Sequence, residues 1–468
     1  MTNTDNNSSL KIEKSTAEIT TIDQLAQSLA GHTRLISDEI IMPALKQSKD
    51  YKPIIEFFHS VQKHLIHDLS PEEFADLYAQ TLTFGLFTAV ILAKGKRKFT
   101  RFDILKTIPK TNIVLHELFE YISGENIPYQ LEFIIIRIIS DLQQMKSKKL
   151  LNEYLKVSHN SPNKKFYGGP APRRGEPINE KLLRGVKGGG FLEKSPPYRN
   201  QDPLIHFYET FLTYYNPRLR EKRGVYYTPQ PVVSFIVRSI HLLLQEKFFI
   251  AGGLVDNENI ILDPAAGTSA FLWEAVNLAI DEFASRYGKG IADRFGYHLL
   301  LDRVYGFELL PAAYAVSHLK LNLLLKSFNA RLNDDERLNI YLTNTLEMED
   351  LEQKPLPGMD VFSEESRRAG AVKKNSFISI IMGNPPYSLS HTRTGTRTNK
   401  PYSLKSRKKS WISELLDDYK KVEGKRLEER NLKWLQEDYV RFIRFAQHPH
   451  GQVYSINHAL PGKDRFFI

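Results

Sequence analysis

The chain has 468 residues, which at roughly 100–200 residues per domain suggests two or three domains. Hydrophobic residues make up 41% and charged residues 25%, a globular composition that excludes wholesale disorder. The net charge of +10 favours a polyanionic partner, with nucleic acid first and a membrane surface second, and the absence of cysteine excludes disulfides, thiolate metal sites and a cysteine nucleophile.

Composition divides the chain into four segments. Residues 1–18 are polar without an apolar core, so we expect a disordered tail and no signal peptide. Residues 19–156 show helical patterns, and residues 157–200 are rich in Gly, Pro, Lys and Arg, which predicts a basic linker or loop. Over residues 201–468, helices alternate with the apolar strands ENIILD, VYGFE, LNIYLTN, FISIIMG and GQVYSIN, which predicts βαβ units around a parallel sheet.

One helix of the second segment has a clear start. Ser70, Pro71 and Glu73 supply a cap, a first-turn proline and a capping-box acid. The apolar stretch 79–93 is shorter than the ~20 residues of a bilayer crossing, and it predicts a buried helix of a soluble protein. No catalytic constellation is visible in this segment, which we interpret as a coupling or DNA-contacting scaffold.

A turn of small residues follows the first strand of the α/β segment. In ILDPAAGTSAFL the strand ends at Asp263, the turn contains Gly267, and an amphipathic helix begins near Thr268 or Ser269. Small residues let the backbone approach a ligand, and the helix N-terminus offers free N–H groups. The pattern predicts a ligand-binding loop, with an ordinary tight turn as the alternative.

The next strand, VYGFE, ends at Glu308. A carboxylate at the carboxyl end of a second strand can accept both hydroxyls of a ribose. Glu308 follows Gly267 by 41 residues, against the ~20 usual for a dinucleotide site. The spacing weakens a dinucleotide interpretation and predicts an extra helix or loop in GKGIADRFGYHLLLDR. A surface glutamate at a strand end is the alternative.

The strand FISIIMG runs into Asn384, Pro385, Pro386 and Tyr387. The prolines end sheet pairing, so the asparagine is presented at the carboxyl edge of the sheet. Its side-chain oxygen and the Pro385 carbonyl can each accept one N–H of a planar amine, and Tyr387 can stack on the attached base or amide. Such an amine needs no general base before it attacks an electrophile. A simple turn is the alternative.

DPAAGTSAFL followed by GNPPY resembles the S-adenosylmethionine-dependent amino-methyltransferases, specifically the adenine-N6 DNA methylases. The order GVYYTP, DPAAGT, GFE, TNTLE, NPPY is that of their gamma group, and HFYETFLTYYNPRLREKRGVYYTP is similar to the methylase part of type I and ISP-type restriction–modification enzymes. The resemblance covers roughly residues 201–458. It implies an α/β fold, a Rossmann-like methyltransferase sheet preceded by an all-helical N-terminal region. It also implies methyl transfer from S-adenosylmethionine to adenine N6 in DNA.

The resemblance implies a role for each motif residue. The cofactor residues are Tyr227 and Thr228 for the methionine end, Asp263, Ala265, Gly267 and Thr268 for the loop, Glu308 for the ribose, and Asn344 near the adenine. The catalytic residues that would hold the flipped adenine are Asn384, Pro385, Pro386 and Tyr387. Ser269 stands where many relatives have glycine. No metal is implied.

A basic segment, residues 391–411, follows the NPPY motif directly and contains no acid. It can lie beside DNA that enters the pocket and position the duplex through its phosphates without reading sequence. A solvated loop is the alternative. The predicted DNA-binding residues are Arg393, Arg397, Lys400, Lys405, Arg407, Lys408 and Lys409.

The chain departs from the resemblance after Asn457 and His458, where relatives continue into a target-recognition domain and only ten residues follow here. We therefore expect double-stranded DNA and a separate target-recognition or restriction subunit as partners, no membrane, and a cytoplasmic location. Two alternatives stay open: a protein glutamine methyltransferase, since those enzymes also use NPPY on a planar amide, and a truncated remnant that binds DNA or cofactor with weak or no catalysis.

Overall fold

The structure is a computed structural model, and it describes part of the chain. The described residues are 18–46, 51–93, 99–108, 112–124, 127–147, 203–216, 228–256, 259–328, 330–333, 335–348, 360–375, 377–386, 410–427, 435, 437–448 and 466–467. The predicted disordered tail up to residue 17, the predicted linker 157–200 and the predicted strand GQVYSIN lie outside them.

Helices make up the N-terminal part. They are α1 (Ile22–Leu35), α2 (Met42–Lys46), α3 (Lys52–His64), α4 (Pro71–Leu92), α5 (Ile113–Ser123) and α6 (Tyr129–Ser147), with a π-helix (Ile36–Ile41) before α2 and a 3-10 helix (Arg101–Asp103) before α5. Helix α4 begins as predicted, because Ser70 and Glu73 form a reciprocal capping box and Pro71 occupies the first turn.

Helix α4 is also the apolar centre of this part. Within the described residues it is the one helix long and apolar enough to cross a membrane, with a mean hydropathy of 1.3 over its most apolar window. In the structure 83% of that window is buried inside the protein. The predicted buried helix at 79–93 is therefore observed.

The second part alternates helices and strands. Its helices are α7 (Pro203–Tyr215), α8 (Gln230–Glu246), α9 (Ala270–Tyr287), α10 (Lys289–Asp302), α11 (Pro311–Ser327), α12 (Asp360–Asn375), α13 (Trp411–Leu415) and α14 (Asp438–Gln447), with 3-10 turns at Gly253–Val255 and Asp418–Lys420. Its strands are β1 (Ile261–Asp263), β2 (Val304–Glu308), β3 (Asn339–Leu342), β4 (Ile380–Ile381), β5 (Lys421–Val422), β6 (Lys425–Arg426) and β7 (Phe466–Phe467).

The main sheet is parallel, in the order β3-β2-β1-β4-β7. Strand β1 pairs with β2 on one side and β4 on the other, with Ile261 opposite both Val304 and Ile380. The four strands predicted from ENIILD, VYGFE, LNIYLTN and FISIIMG are all present, so the predicted α/β class with a parallel sheet is confirmed. The short strand β7, which pairs with β4, was not predicted. Strands β5 and β6 form a separate antiparallel hairpin.

The extra residues between the glycine turn and Glu308 form helix α10, as the spacing predicted. Helices α9 and α10 meet at Gly288, whose φ of 88° only glycine adopts readily. Phe283 of α9 stacks on Phe295 of α10, with ring centroids 4.2 Å apart. The pair therefore packs as a helical hairpin that returns the chain to the start of β2.

The helical part and the sheet share one hydrophobic core. Helix α4 packs along α11, and Phe57 of α3 meets Phe362 of α12 edge to face, with ring centroids 5.0 Å apart. The Ser366 hydroxyl of α12 donates to the His64 carbonyl at the end of α3. These contacts bring the connection between α3 and α4 to the edge of the sheet where the parallel strands end.

Candidate active site

The carboxyl ends of β1 to β4 open into one cavity of about 790 Å³. This volume is in the range of roughly 300–1,000 Å³ that is typical of sites for small ligands and cofactors. The predicted site residues that line the cavity are Thr228, Ala265, Gly267, Thr268, Glu308, Asn344, Asn384 and Pro386. These residues are up to 158 positions apart in the sequence, from Thr228 to Pro386, and they meet at one place, as expected for strand ends of a parallel sheet.

Other predicted site residues have different places. Asp263 lies beneath the loop and is fully buried, and Pro385 is described but does not line the cavity. Tyr227, Tyr387 and all seven predicted DNA-binding residues of segment 391–411 lie outside the described residues.

The loop after β1 is held by Glu308. The Gly267 amide donates to Glu308 Oε2 at 2.7 Å, and the Leu310 amide donates to Oε1 at 2.7 Å. Burial raises the pKa of Glu308, which these backbone N–H bonds partly oppose. The carboxylate thus ties two loops together, in addition to the predicted role of accepting ribose hydroxyls. A carboxylate has about four acceptor positions, so it can do both.

Gly267 and Ser269 both adopt left-handed backbone conformations, with φ of 54° and 59°. The Ser269 amide donates to the Ala266 carbonyl, which closes a tight turn before α9 begins at Ala270. Helix α9 therefore starts one or two residues later than predicted. Serine can adopt this conformation at a cost, which is consistent with its standing where many relatives have glycine.

Asp263 connects the loop after β1 to the end of β4. Its Oδ1 accepts from the Ala265 amide at 3.1 Å, and burial raises its pKa to about 8. A Cβ atom at Gly383 would lie 2.5 Å from the same Oδ1. The glycine before Asn384 is therefore required by a close approach of two strand ends.

Replacing Gly383 with alanine should force the ends of β1 and β4 apart. Overpacking of this kind costs about 1–3 kcal/mol, so we expect the free energy of unfolding to fall by that amount in chemical denaturation. Gly290→Ala is the matched control, because a Cβ there meets nothing within 4 Å. Equal stability of the two variants would show that the Asp263–Gly383 contact is not tight.

A hydrogen bond joins two motifs that are far apart in sequence. Asn384 Nδ2 donates to Thr228 Oγ1 at 3.0 Å. The bond orients the side-chain amide of Asn384, because its NH2 group faces Thr228 and its oxygen therefore points away from Thr228. Asn384 lines the cavity with its NH2 group already used by Thr228.

Thr228 is itself positioned by Glu274, which sequence reasoning missed. Glu274 of α9 is buried and accepts from Gln230 Nε2 at 2.9 Å and from Ser234 Oγ at 2.7 Å. These bonds fasten the first turns of α8, directly after Thr228, to the helix that follows the glycine loop. An acid on the buried face of a helix was the signal available in the sequence.

The loop after β3 carries Asn344 and is held from two sides. Thr345 Oγ1 donates to the Pro264 carbonyl at 2.6 Å. The buried ammonium of Lys373 donates to the carbonyls of Asn344 at 2.9 Å and Glu347 at 2.7 Å. The loops after β1 and β3 are therefore fixed relative to each other before any ligand binds.

The helical part also contributes residues to the cavity, which the prediction of a coupling or DNA-contacting scaffold did not include. Its contribution comes from the connection before α4 and from the first two turns of that helix. The residues are Ile66, Asp68, Leu69, Ser70, Glu72, Glu73 and Leu77. Their sequence shows a helix start but gives no sign of the loops that fold against it, so only the tertiary structure reveals them.

His67 joins this connection to the loop after β3. Its Nε2 lies 3.1 Å from Glu347 Oε2. The hydrogen bond to Glu347 raises the pKa of His67 to about 9 from the ordinary value of 6.5. The histidine is therefore charged at neutral pH, and the ion pair bridges the two walls of the cavity.

The stabilising effect of this pair should depend on pH. Because the folded pKa is raised, the contribution is complete below pH 6.5 and is lost as the pH rises through about 9. Glu347→Gln should therefore destabilise the chain more at pH 6 than at pH 10 in denaturant titrations. Glu282→Gln, whose partner Arg286 stays charged, is the control and should show the same effect at both pH values. An equal effect of Glu347→Gln at both would contradict the assigned pair.

The comparisons with known proteins agree with this architecture. Residues 199–420 match the family described as N-6 DNA methylase. The match confirms the resemblance to the adenine-N6 methylases for that part of the chain. No curated protein is significantly similar to the chain.

Solved structures share the fold. A complex of DrdV with DNA is 18% identical, with a TM-score of 0.54 over 91% of this chain and 34% of its own. The ATP-dependent Type ISP restriction–modification enzyme LlaBIII bound to DNA is 17% identical, with a TM-score of 0.58 over 91% of this chain and 24% of its own. A nuclease-deletion mutant of the Type ISP enzyme LlaGI with a DNA substrate mimic is 17% identical, with a TM-score of 0.54 over 92% of this chain and 29% of its own. The chain thus spans about a quarter to a third of these proteins.

Proposed function

We propose that the chain transfers a methyl group from S-adenosylmethionine to the N6 amine of adenine in double-stranded DNA, as the modification part of a restriction–modification system. The observation that carries the proposal is the Asn384–Thr228 hydrogen bond at the cavity, which joins the amine-binding motif to the segment expected to hold the methionine end of the cofactor. The family match over residues 199–420 supports it.

The charges of the cavity favour this cofactor over a dinucleotide. Besides Glu308, the carboxylates that line it are Asp68, Glu72, Glu73, Glu347 and Asp438, whereas Arg441 is its one lining guanidinium among the described residues. Such a surface attracts a cationic sulfonium and repels a pyrophosphate. The Gly267 amide, which a dinucleotide loop would offer to phosphate, already donates to Glu308.

The residues present fit the proposed cofactor. Thr228 would contact the methionine end of the cofactor, and the backbone of the turn at Gly267 would lie close to the cofactor. Glu308 would accept hydrogen bonds from the ribose hydroxyls, and Asn344 would lie near the purine. When bound, S-adenosylmethionine supplies an electrophilic methyl group. The proposed positions run along the sheet in strand order, with the methionine end near β4 and β1, the ribose at β2 and the purine near β3.

At the amine, Asn384 Oδ1 and the Pro385 carbonyl would each accept one N–H of the adenine 6-amino group. The two acceptors would fix both N–H groups of the amine, so that its lone pair faces the methyl group. Tyr387 would stack on the flipped base, at about 1–3 kcal/mol per stacked base. No side chain removes a proton before attack, because a neutral amine already carries the lone pair, and the proton leaves to solvent afterwards.

Two observations support DNA as the substrate: the positive charge of the chain and the DNA bound in the similar solved structures. The chain carries a net charge of +10, and the predicted basic segment directly follows Tyr387. The three solved structures described above are complexes with DNA or with a DNA substrate mimic. We further propose a cytoplasmic location and a recognition or restriction subunit as a second partner.

Transfer of labelled methyl groups tests the proposal. The chain is incubated with methyl-labelled S-adenosylmethionine and either duplex DNA or a release-factor-type protein. We expect label in DNA and none in protein. Label in protein glutamine would establish the alternative substrate class, and cofactor binding in calorimetry without transfer to either would indicate the remnant.

A further inference from the structure

We propose that residues 66–73 of the helical part form a wall of the cofactor site and bind the adenosine half of S-adenosylmethionine. The inference rests on the proposed function, since it names the part of the cofactor that this wall contacts. It gives the helical part a binding role in addition to packing.

The position of the wall is fixed by contacts at both of its ends. Before it, the Ser366 hydroxyl donates to the His64 carbonyl at 3.2 Å, and within it Gln62 Nε2 donates to the Leu69 carbonyl at 2.9 Å. His67 reaches Glu347 in the loop after β3. After it, α4 packs along α11, the helix that follows the loop after β2. The wall therefore lies over the ends of β2 and β3.

The order of the strands identifies which half of the cofactor lies there. Asn384 and Thr228, which meet at the reacting end, lie near the ends of β4 and β1. Glu308, at the end of β2, is where a ribose is bound in sheets of this kind. Since β3 lies beyond β2, a cofactor running along the strand ends places its purine near Asn344 and beneath the wall.

The side chains of the wall suit a nucleoside. Ile66 and Leu69 line the cavity, and Leu69 is only 4% exposed. Apolar side chains can cover a purine face, and the carboxylates of Asp68 and Glu72 supply acceptors for hydroxyl or amino hydrogens. Closure by a segment from another part of the chain would shield the cofactor from water.

The first experiment measures binding of S-adenosylmethionine and of free adenosine to the full chain and to Ile66→Ala and Leu69→Ala. We expect each variant to weaken both ligands by the same factor, about tenfold for Leu69→Ala, because the lost contacts belong to the half that the ligands share. Ile291→Ala, which removes an exposed isoleucine of α10, is the matched control and should change neither. Folded variants with wild-type affinity for both ligands would overturn the inference.

A second measurement needs no variant and therefore does not depend on folding of Leu69→Ala. Hydrogen exchange of the wild-type chain with and without S-adenosylmethionine should show protection of residues 66–73 together with the loops after β1, β2 and β3. Protection of the three loops without residues 66–73 would refute the wall while leaving the proposed function intact. Absence of any binding would instead refute the proposed function.

Discussion

Asn384→Ala should reduce methyl transfer by about 10²–10³ while leaving the affinity for S-adenosylmethionine nearly unchanged. Asn384 supplies one of the two acceptors for the target amine, and a lost preorganised polar group at a reacting centre has an effect of this size. The variant also removes the donor to Thr228, but Thr228 lines the cavity, where water can replace this partner. The rate is measured in single-turnover transfer and the affinity by calorimetry.

Asn277→Ala is the matched control for this prediction. Asn277 donates through its amide to the Trp273 carbonyl within α9 and does not line the cavity. The Asn277→Ala variant should transfer methyl groups at the wild-type rate. If Asn384→Ala retained full turnover, the amine-binding role of the NPPY motif would be wrong, and if it lost cofactor binding as well, Asn384 would belong to the cofactor site.

Gly267→Val should abolish measurable cofactor binding. The backbone at Gly267 is left-handed, with φ of 54°, which costs an ordinary residue about 1–2 kcal/mol and a β-branched one more. The Gly267 amide also donates to Glu308, so a backbone shift that relieves the strain breaks this hydrogen bond. The valine side chain in addition fills space that the ligand needs. We expect the dissociation constant for S-adenosylmethionine to rise at least about a hundredfold.

Gly424→Val is the control for Gly267→Val, because it introduces the same kind of backbone strain at a position outside the cavity. Gly424 has φ of 77° in the turn of the β5–β6 hairpin, and a Cβ there meets nothing within 4 Å. This control should lose some stability in thermal unfolding and keep its affinity. Unchanged affinity of Gly267→Val with a normal melting curve would show that the loop after β1 does not hold the cofactor.

Helices and strands that are marked by a local residue pattern could be predicted from the sequence. The capping box at Ser70 and Glu73, the strands that end at Asp263 and Glu308, and helix α10 between them all follow from residue pattern and spacing. The residues that follow β1, β2 and β4 meet at one cavity because parallel strands end at one edge of the sheet, so the position of the cavity was also predictable.

The tertiary contacts that position the site were not predictable from local pattern. Nothing near Glu274 in sequence indicates that it would hold Gln230 and Ser234, since those residues belong to another helix. The same is true of residues 66–73, whose place at the cavity depends on α3 and α4 packing against α12 and α11. The bond from Gly267 to Glu308 was also unexpected, because the acid was assigned to ribose alone.

The most direct measurement is nucleoside analysis of duplex DNA after incubation with the chain and methyl-labelled S-adenosylmethionine. The proposed function predicts label in N6-methyladenine, and its near disappearance with Asn384→Ala but not with Asn277→Ala. Label at a different base, or transfer that Asn384→Ala leaves unchanged, would contradict the proposed chemistry of the site.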